Sequence, residues 1–471
     1  MPFVALGQHG VWTCEHGTGS DPVPKVDLPV PYPPPLMRRR QFLHHSAALA
    51  TLPLLGFDRL RGMQAPPLRV DAGRLNGWLA GFDAIGRTSS GINRVAYSSA
   101  DLAGRAYTLD LMRQAGLAPR VDAAGNIHAR LEGTDRTLAP IVIGSHVDSV
   151  TDGGNYDGPV GAFAAIEVAR TLREKNVRLR HPLDVVVWQN EEGGTIGSKL
   201  AVGALTDADL DKVARSGKTV REGIGLVGGD TTKLKSAEWK RGDVACYMEL
   251  HIEQGGLLEK AGLQIGVVEG IVGLRWLEVT ISGFANHAGA TPMDQRQDAM
   301  LAAAKFTVAV NDAVRAEPGR QVATVGRLVA TPNTTNVIAG QVVLTVDVRD
   351  LDHDKLVRFT NRFTQLGRDI GAATGTSFAF RTLVESEPAL ADARIMRLID
   401  ASAASLGLTR QRMPSGAGHD AQEIARIAPI GMIFVPSVGG ISHSPRELSR
   451  PADVANGANV LLNAVVGADG Q

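Results

Sequence analysis

Pro140-Ile-Val-Ile-Gly-Ser-His-Val-Asp148 is the stretch whose reading decides the fold. Pro140–Gly144 is a short apolar run of the kind that forms a strand buried on both faces, and it breaks off at once into His146 and Asp148. The same pattern recurs three times. Leu183–Trp188 leads into Glu191-Glu192, Val244–Leu250 into His251, and Ile430–Val435, through a glycine loop, into His443. From about residue 70 such strands alternate with helical stretches, which specifies an α/β fold with a mostly parallel sheet. In open α/β sheets ligands bind beyond the carboxyl ends of the strands. Four segments far apart in sequence therefore deliver metal-type side chains to one sheet edge.

The alternation is interrupted once. Leu274–Ser282 reads as a strand, Asp294–Arg315 as a helix, Gln321–Ala330 and Gln341–Asp350 as strands, His353–Thr374 as a helix and Ser377–Val384 as a strand. The order β-α-β-β-α-β is that of a ferredoxin-like unit. Residues 272–384 are thus expected as a domain inserted into a larger one made of 70–271 and 385–468. Two domains also suit the length of 471 residues, more than one hydrophobic core usually serves.

Composition narrows the partners. Lys+Arg and Asp+Glu are equal at 49 each, so no basic field exists to attract nucleic acid. Cys14 and Cys246 are the only cysteines, which excludes both a disulfide framework and a thiolate metal site. Any metal must use histidine and carboxylate. Residues 1–36 hold a proline-rich run, Val30-Pro-Tyr-Pro-Pro-Pro-Leu36, without apolar periodicity, and are expected to be unstructured. Met37-Arg-Arg-Arg-Gln-Phe-Leu43 followed by apolar Ala47–Phe57 resembles a twin-arginine signal peptide, placed here over 37–65. Export to the periplasm is the expectation, with Met37 as the start and 1–36 an artefact of start-site choice. The apolar stretch falls short of the ~20 residues a stable membrane span needs.

Each polar group has a chemistry. His146 and Asp148 are two residues apart on an extended segment and share a face, so His146 can bind a cation while Asp148 orients its other ring nitrogen. Gly153-Gly-Asn-Tyr-Asp157-Gly-Pro-Val-Gly161 opens the apolar helix Ala162–Leu172, where Asp157 is either an N-cap or a carboxylate bridging two cations. In Asn190-Glu191-Glu192-Gly193 adjacent side chains of an extended segment project oppositely, so one glutamate can ligate while the other faces the reacting water. His443 lies in Gly439-Gly-Ile-Ser-His-Ser-Pro-Arg-Glu447, where Ser444, Pro445 and Glu447 fit N-cap, N1 and N3 of a helix. Together these segments supply His146, Asp157 and His251 to one cation, and Asp157, Glu192 and His443 to another, with positions left open as catalytic sites require. Two cations ~3.5–4 Å apart can share a hydroxide and clamp a tetrahedral intermediate. Glu191 would take the proton from the water and pass it to the leaving nitrogen.

The chain resembles the M20 metallohydrolase family, and most of all its branch of N-carbamoyl-L-amino-acid hydrolases, β-ureidopropionases and allantoate amidohydrolases. The likeness runs from about residue 75 to 465 and rests on SHVDSVTDGGNYDG (145–158), NEEG (190–193), HIEQGG (251–256), ANHAGATPM (285–293), TTNVI (334–338), VDVRD (346–350), GAGHDA (416–421) and SHSPRE (442–447). His251 matches the amidase version, where peptidase relatives use a carboxylate. The resemblance implies a dinuclear amidohydrolase acting on a small carboxylate-bearing N-carbamoyl or ureido compound. It implies two divalent ions, zinc foremost and manganese, cobalt or nickel as alternatives, and a homodimer formed through a lid at 272–384. It further implies substrate contacts from Gln254, His287, Asn336, Arg349 and His419, with His287 stabilising the oxyanion across the dimer. Arg349 has independent support, because alternation sets Asp347 and Arg349 opposite Val346 and Val348, and a guanidinium suits a carboxylate. One departure bears on the substrate: Gly194-Thr-Ile196 follows the Glu-Glu-Gly where this branch often has a small residue, Arg and Phe. The rival readings are an aminoacylase or dipeptidase of the same fold and a binding protein without turnover, though a binder has no need of Glu191 as a base.

Overall fold

The computed structural model describes residues 66–470, so the expected unstructured extension over 1–36 and the expected export signal over 37–65 lie outside the described residues. In chain order the strands are β1 (Arg120–Val121), β2 (Ile127–Leu131), β3 (Ile141–His146), β4 (Leu183–Trp188), β5 (Cys246–Ile252), β6 (Ile265–Ile271), β7 (Gly273–Ser282), β8 (Val322–Thr331), β9 (Gln341–Asp350), β10 (Ser377–Ser386), β11 (Ala389–Leu390), β12 (Arg410–Ser415) and β13 (Ile430–Val435). Nine of them form one sheet in the order β1-β2-β4-β3-β5-β13-β6-β11, with β12 beside β6. The central neighbours β4, β3, β5 and β13 run parallel, while β1, β2 and β11 and the β13–β6 contact are antiparallel. The parallel centre is what a continuously apolar strand requires, since both its faces are covered. Every residue of β3, β4, β5 and β13 is buried.

The register brings the strand ends level. His146 pairs with Trp188 at the end of β4, and His251 pairs with Phe434 near the end of β13. Helix Pro159–Glu174, buried over most of its length, packs on one face of this centre together with Ala72–Phe82, Ala393–Ser405 and Pro451–Asp469. Phe82, Phe163, Leu250, Ile395 and Val465 meet there, whereas Trp188, Tyr247, Met413, Ile424 and Phe434 fill the opposite face. Each such side chain contributes ~1.5–3 kcal/mol on burial, so the sheet edge rests on a rigid floor.

The inserted unit is a separate antiparallel sheet, β10-β7-β9-β8, with helices Ala299–Ala316 and His353–Thr374. Leu277, Val279 and Ile281 of β7 and Val342, Leu344, Val346 and Val348 of β9 alternate towards these helices and pack on Phe306, Phe359 and Phe363. Arg349 and Asp347 fall on the other face, as their alternation predicts. The first helix begins at Ala299 rather than Asp294, because Asp298 caps it by accepting from the N–H groups of Met300 (2.9 Å) and Leu301 (3.1 Å). No helix among the described residues is long and apolar enough to cross a membrane.

Candidate metal centre

Four side chains from four strand ends, His146, Glu192, His251 and His443, meet around Asp157. Its Oδ1 stands 3.1 Å from His251 Nε2 and 3.6 Å from His146 Nε2, and its Oδ2 stands 3.2 Å from His443 Nε2. Glu192 Oε1 lies 3.7 Å from the same His443 nitrogen. The donor atoms therefore fall into two groups that share only Asp157, namely His146–Asp157–His251 and Asp157–Glu192–His443. A third group, Glu249–His251–His419, shares His251, but Glu249 is already engaged by Ser145 Oγ (2.8 Å), the Tyr247 hydroxyl (3.1 Å) and the Ala421 N–H (3.2 Å).

The backbone presents these atoms. His146 Nδ1 is 3.1 Å from the Asp148 carbonyl and His251 Nδ1 is 2.9 Å from the Ile252 carbonyl, so both rings donate there and turn Nε2 to the centre. It is thus the Asp148 carbonyl that orients the ring, with the Asp148 carboxylate 3.7 Å away from Nδ1. That carboxylate accepts instead from the N–H groups of Glu191 (3.2 Å) and Glu192 (3.1 Å). The reason is that β3 stops at His146, so the extended spacing no longer holds at Asp148. A similar correction applies to the two glutamates. They sit in a turn, which Asn190 enters with φ +52°, and their side chains converge rather than diverge. Glu191 Oε2 is 3.8 Å from His146 Nε2, and Glu192 faces His443. Asn190, Gln254 (φ +59°) and His443 (φ +52°) all hold the left-handed region, a strain of ~1–3 kcal/mol each that clusters at functional sites. Asp157 is not the N-cap either; Gly158 is, with φ +84°, and a Cβ there would lie 2.5 Å from the His146 ring.

Electrostatics follow from burial. The carboxyl of Asp157 is costly to ionise in a buried position, yet the imidazoles of His251, His146 and His443 outweigh this and hold it well below the usual range. Burial opposes the charging of His146, but the carboxylates of Glu191, Asp148 and Asp157 push it well above an ordinary histidine. Burial raises Glu191 strongly, and burial with the neighbouring Asp157 carboxylate raises Glu192 to about 7. The donor set fits divalent cations on two observations. His251 Nε2 and Glu192 Oε1 are buried without a hydrogen-bond partner among the described residues. Also, the amide Nε2 of Gln254 is 2.6 Å from Asp157 Oδ2 and 3.4 Å from His443 Nε2, a donor where positive charge is wanted.

The remaining expected residues divide. Gln254 joins the centre. His419 is buried, its ring 4.4 Å from that of His251 and its Nε2 2.8 Å from Ser415 Oγ. Burial and the adjacent His251 keep it well below an ordinary histidine pKa. His287 and Asn336 lie together on the inserted unit, where the Ala288 N–H donates to the Asn336 carbonyl (2.9 Å), and among the described residues neither side chain is hydrogen-bonded to the five-residue cluster. His287 Nδ1 accepts from the N–H groups of Gly289 (3.0 Å) and Ala290 (3.1 Å), which leaves Nε2 to carry the ring proton. Arg349 bridges the two sheets: it donates to Asp347 Oδ2 (2.8 Å) and to the carbonyl of Gly416 (2.7 Å), in the loop that carries His419.

Sequence reasoning missed the buried acids around the cluster. Glu249 precedes His251 by two residues on a strand, so the shared face was a usable signal. Asp420, bonded to Ser198 Oγ (2.6 Å), had none. The helix expected from Ser444 does not form; residues 444–447 are a turn, and Glu447 faces Asp157 and His443 instead of capping.

A two-domain α/β hydrolase with a divided histidine–carboxylate centre is the class that this fold and site define. The sequence profile of peptidase family M20/M25/M40 matches residues 142–466, and the chain belongs to that family. It is 39% identical to the N-carbamoyl-L-amino acid amidohydrolase of Geobacillus stearothermophilus, covering 80% of this chain and 93% of that protein. It is 34% identical to the ureidoglycolate hydrolase of Arabidopsis thaliana, over 84% of this chain and 86% of that one. A solved amidase of the hydantoinase/carbamoylase family from Burkholderia multivorans superposes with a TM-score of 0.80 at 35% identity, covering 86% of this chain and 99% of its own.

The His443–Asp157 contact sets a pH dependence. Hydrogen bonding to Asp157 raises His443 from 6.5 to about 9, so in cation-free protein the pair stabilises fully below pH 6.5 and is lost as pH rises through about 9. The unfolding temperature of cation-free protein should fall across that interval, and fall less in His443→Gln. Equal slopes in scanning calorimetry would refute the pairing.

Proposed function

We propose that the protein is a dinuclear, divalent-metal amidohydrolase that cleaves the C–N bond of a small carboxylate-bearing N-carbamoyl or ureido compound. One observation carries the reading: the two oxygens of a single buried carboxylate, Asp157, are turned to different imidazoles, with the Glu191 carboxyl beside them. His146, Asp157 and His251 would hold one ion, and Asp157, Glu192 and His443 the other. Zinc suits these ligands, as do manganese, cobalt and nickel. When bound, such ions polarise a carbonyl and lower the pKa of water.

The chain's own groups do the rest. Glu191, raised by burial, takes a proton from the attacking water and delivers it to the departing nitrogen. The Asp148 carboxylate fixes Glu191 and Glu192 through their backbone N–H groups. Arg349 takes the substrate carboxylate, with Asn336, Gln254 and His419 around the ureido group. His287 offers its Nε2–H to the developing oxyanion, and a homodimer through the lid at 272–384 brings it to the site of the other chain. The names of the relatives, N-carbamoyl-L-amino acid amidohydrolase and ureidoglycolate hydrolase, support this substrate class.

A panel of N-carbamoyl-L-amino acids, ureidopropionate, allantoate, N-acetyl-amino acids and dipeptides, assayed with ion-reconstituted protein, tests the substrate. Turnover of ureido compounds is expected. Turnover of only N-acetyl-amino acids or dipeptides would make the chain an aminoacylase or dipeptidase, and ion-loaded protein that turns over nothing would make it a binder. Glu191→Gln should lower kcat by about 100- to 10,000-fold with the ion content unchanged. A parent-like rate would remove Glu191 from the mechanism. Sedimentation should give the mass of two chains, and a single-chain mass under assay conditions excludes the shared site.

A further inference from the structure

We propose that Glu447 is the positioning residue that assembles the second cation subsite, by tying the loop of Asp157 to the loop of His443. The inference rests on the two-cation reading above. The two subsites are built differently. His146 and His251 stand on β3 and β5, held by sheet hydrogen bonds and by carbonyls on their Nδ1 atoms. His443 stands on a loop in a left-handed conformation with half its side chain exposed, and Asp157 precedes a helix without belonging to it. Something else must fix the separation of Asp157 Oδ2 and His443 Nε2.

Glu447 supplies it with all its acceptor capacity. Its Oε1 accepts from the N–H groups of Tyr156 (2.8 Å) and Asp157 (3.0 Å), and its Oε2 accepts from Ser442 Oγ (2.9 Å) and the His443 N–H (3.2 Å). The Ser442 hydroxyl also stands 3.0 Å from Asp157 Oδ2. One carboxylate, 6% exposed, thus receives both ligand loops, one on each oxygen. Gly154 closes the arrangement, because a Cβ there would be driven into the Glu447 side chain. A glutamine at 447 keeps the size but has one acceptor oxygen, so it must turn an NH2 group towards one pair of donors.

Cobalt(II) titration of the cation-free protein, followed by visible absorption and calorimetry, tests this on the parent, Glu447→Gln and Gly154→Ala. The parent should take two equivalents. Each variant should bind the first as the parent does and the second about 10- to 100-fold more weakly, with the second equivalent's absorption altered. Two equivalents with parent affinities and spectra in Glu447→Gln would overturn the proposal. Equal weakening of both equivalents would also overturn it, since that marks a general structural role. A parent that binds fewer than two ions would sink the two-cation reading itself. If Glu447→Gln fails to fold by circular dichroism, Ser442→Ala, which removes a single donor, must weaken the second equivalent selectively or the proposal fails.

Discussion

A carboxylate stripped of water is expensive unless positive charge surrounds it, and Asp157 is such a group. Three imidazoles close on its two oxygens, and the Gln254 amide donates to Oδ2. The rest of the molecule can be read as what holds that arrangement. The parallel centre of the large sheet sets His146 and His251 side by side, with ring centroids 5.9 Å apart. Gly158 lets the chain turn close against the His146 ring, which a side chain at that position would prevent.

The supporting acids extend the same logic outward. Asp148 gathers the amides of Glu191 and Glu192, Glu447 those of Tyr156, Asp157 and His443, and Glu249 accepts from Ser145, Tyr247 and Ala421. Both oxygens of each of these three carboxylates are occupied, which restricts the freedom of the loops they hold. Left-handed Asn190, Gln254 and His443 persist because this network overdetermines them.

Much of this is legible in the sequence, for a physical reason. Apolar runs that end abruptly in His or Glu mark both the strand and the level at which it stops, so the convergence of 146, 192, 251 and 443 follows from chain order and parallel pairing. The inserted β-α-β-β-α-β unit is equally plain, because periods of two and 3.6 residues separate its strands from its helices. Local geometry beyond a strand end is not plain. The turn at 189–195 depends on a left-handed Asn190, which has no signature that separates it from an extended Asn. Ser444-Pro-Arg-Glu447 has the spacing of a helix start, but the donors that claim Glu447 include amides at 156 and 157, and a four-residue pattern carries no information about groups so distant along the chain. Asp347 and Gly416 likewise hold Arg349 through contacts that alternation alone does not reveal.

The inserted unit also separates the ligands in time. His146, Asp157, Glu192 and His251 are all synthesised before residue 272, but His443 follows the entire insert. A nascent chain paused anywhere within 273–386 already carries the first histidine–aspartate–histidine group and lacks the histidine of the second. Closing the pair waits for ribosomal synthesis to pass the insert, and β13 and helix Pro451–Asp469, which pack beside β5, arrive only then, so a chain cut short there has neither the whole central sheet nor both ligand groups.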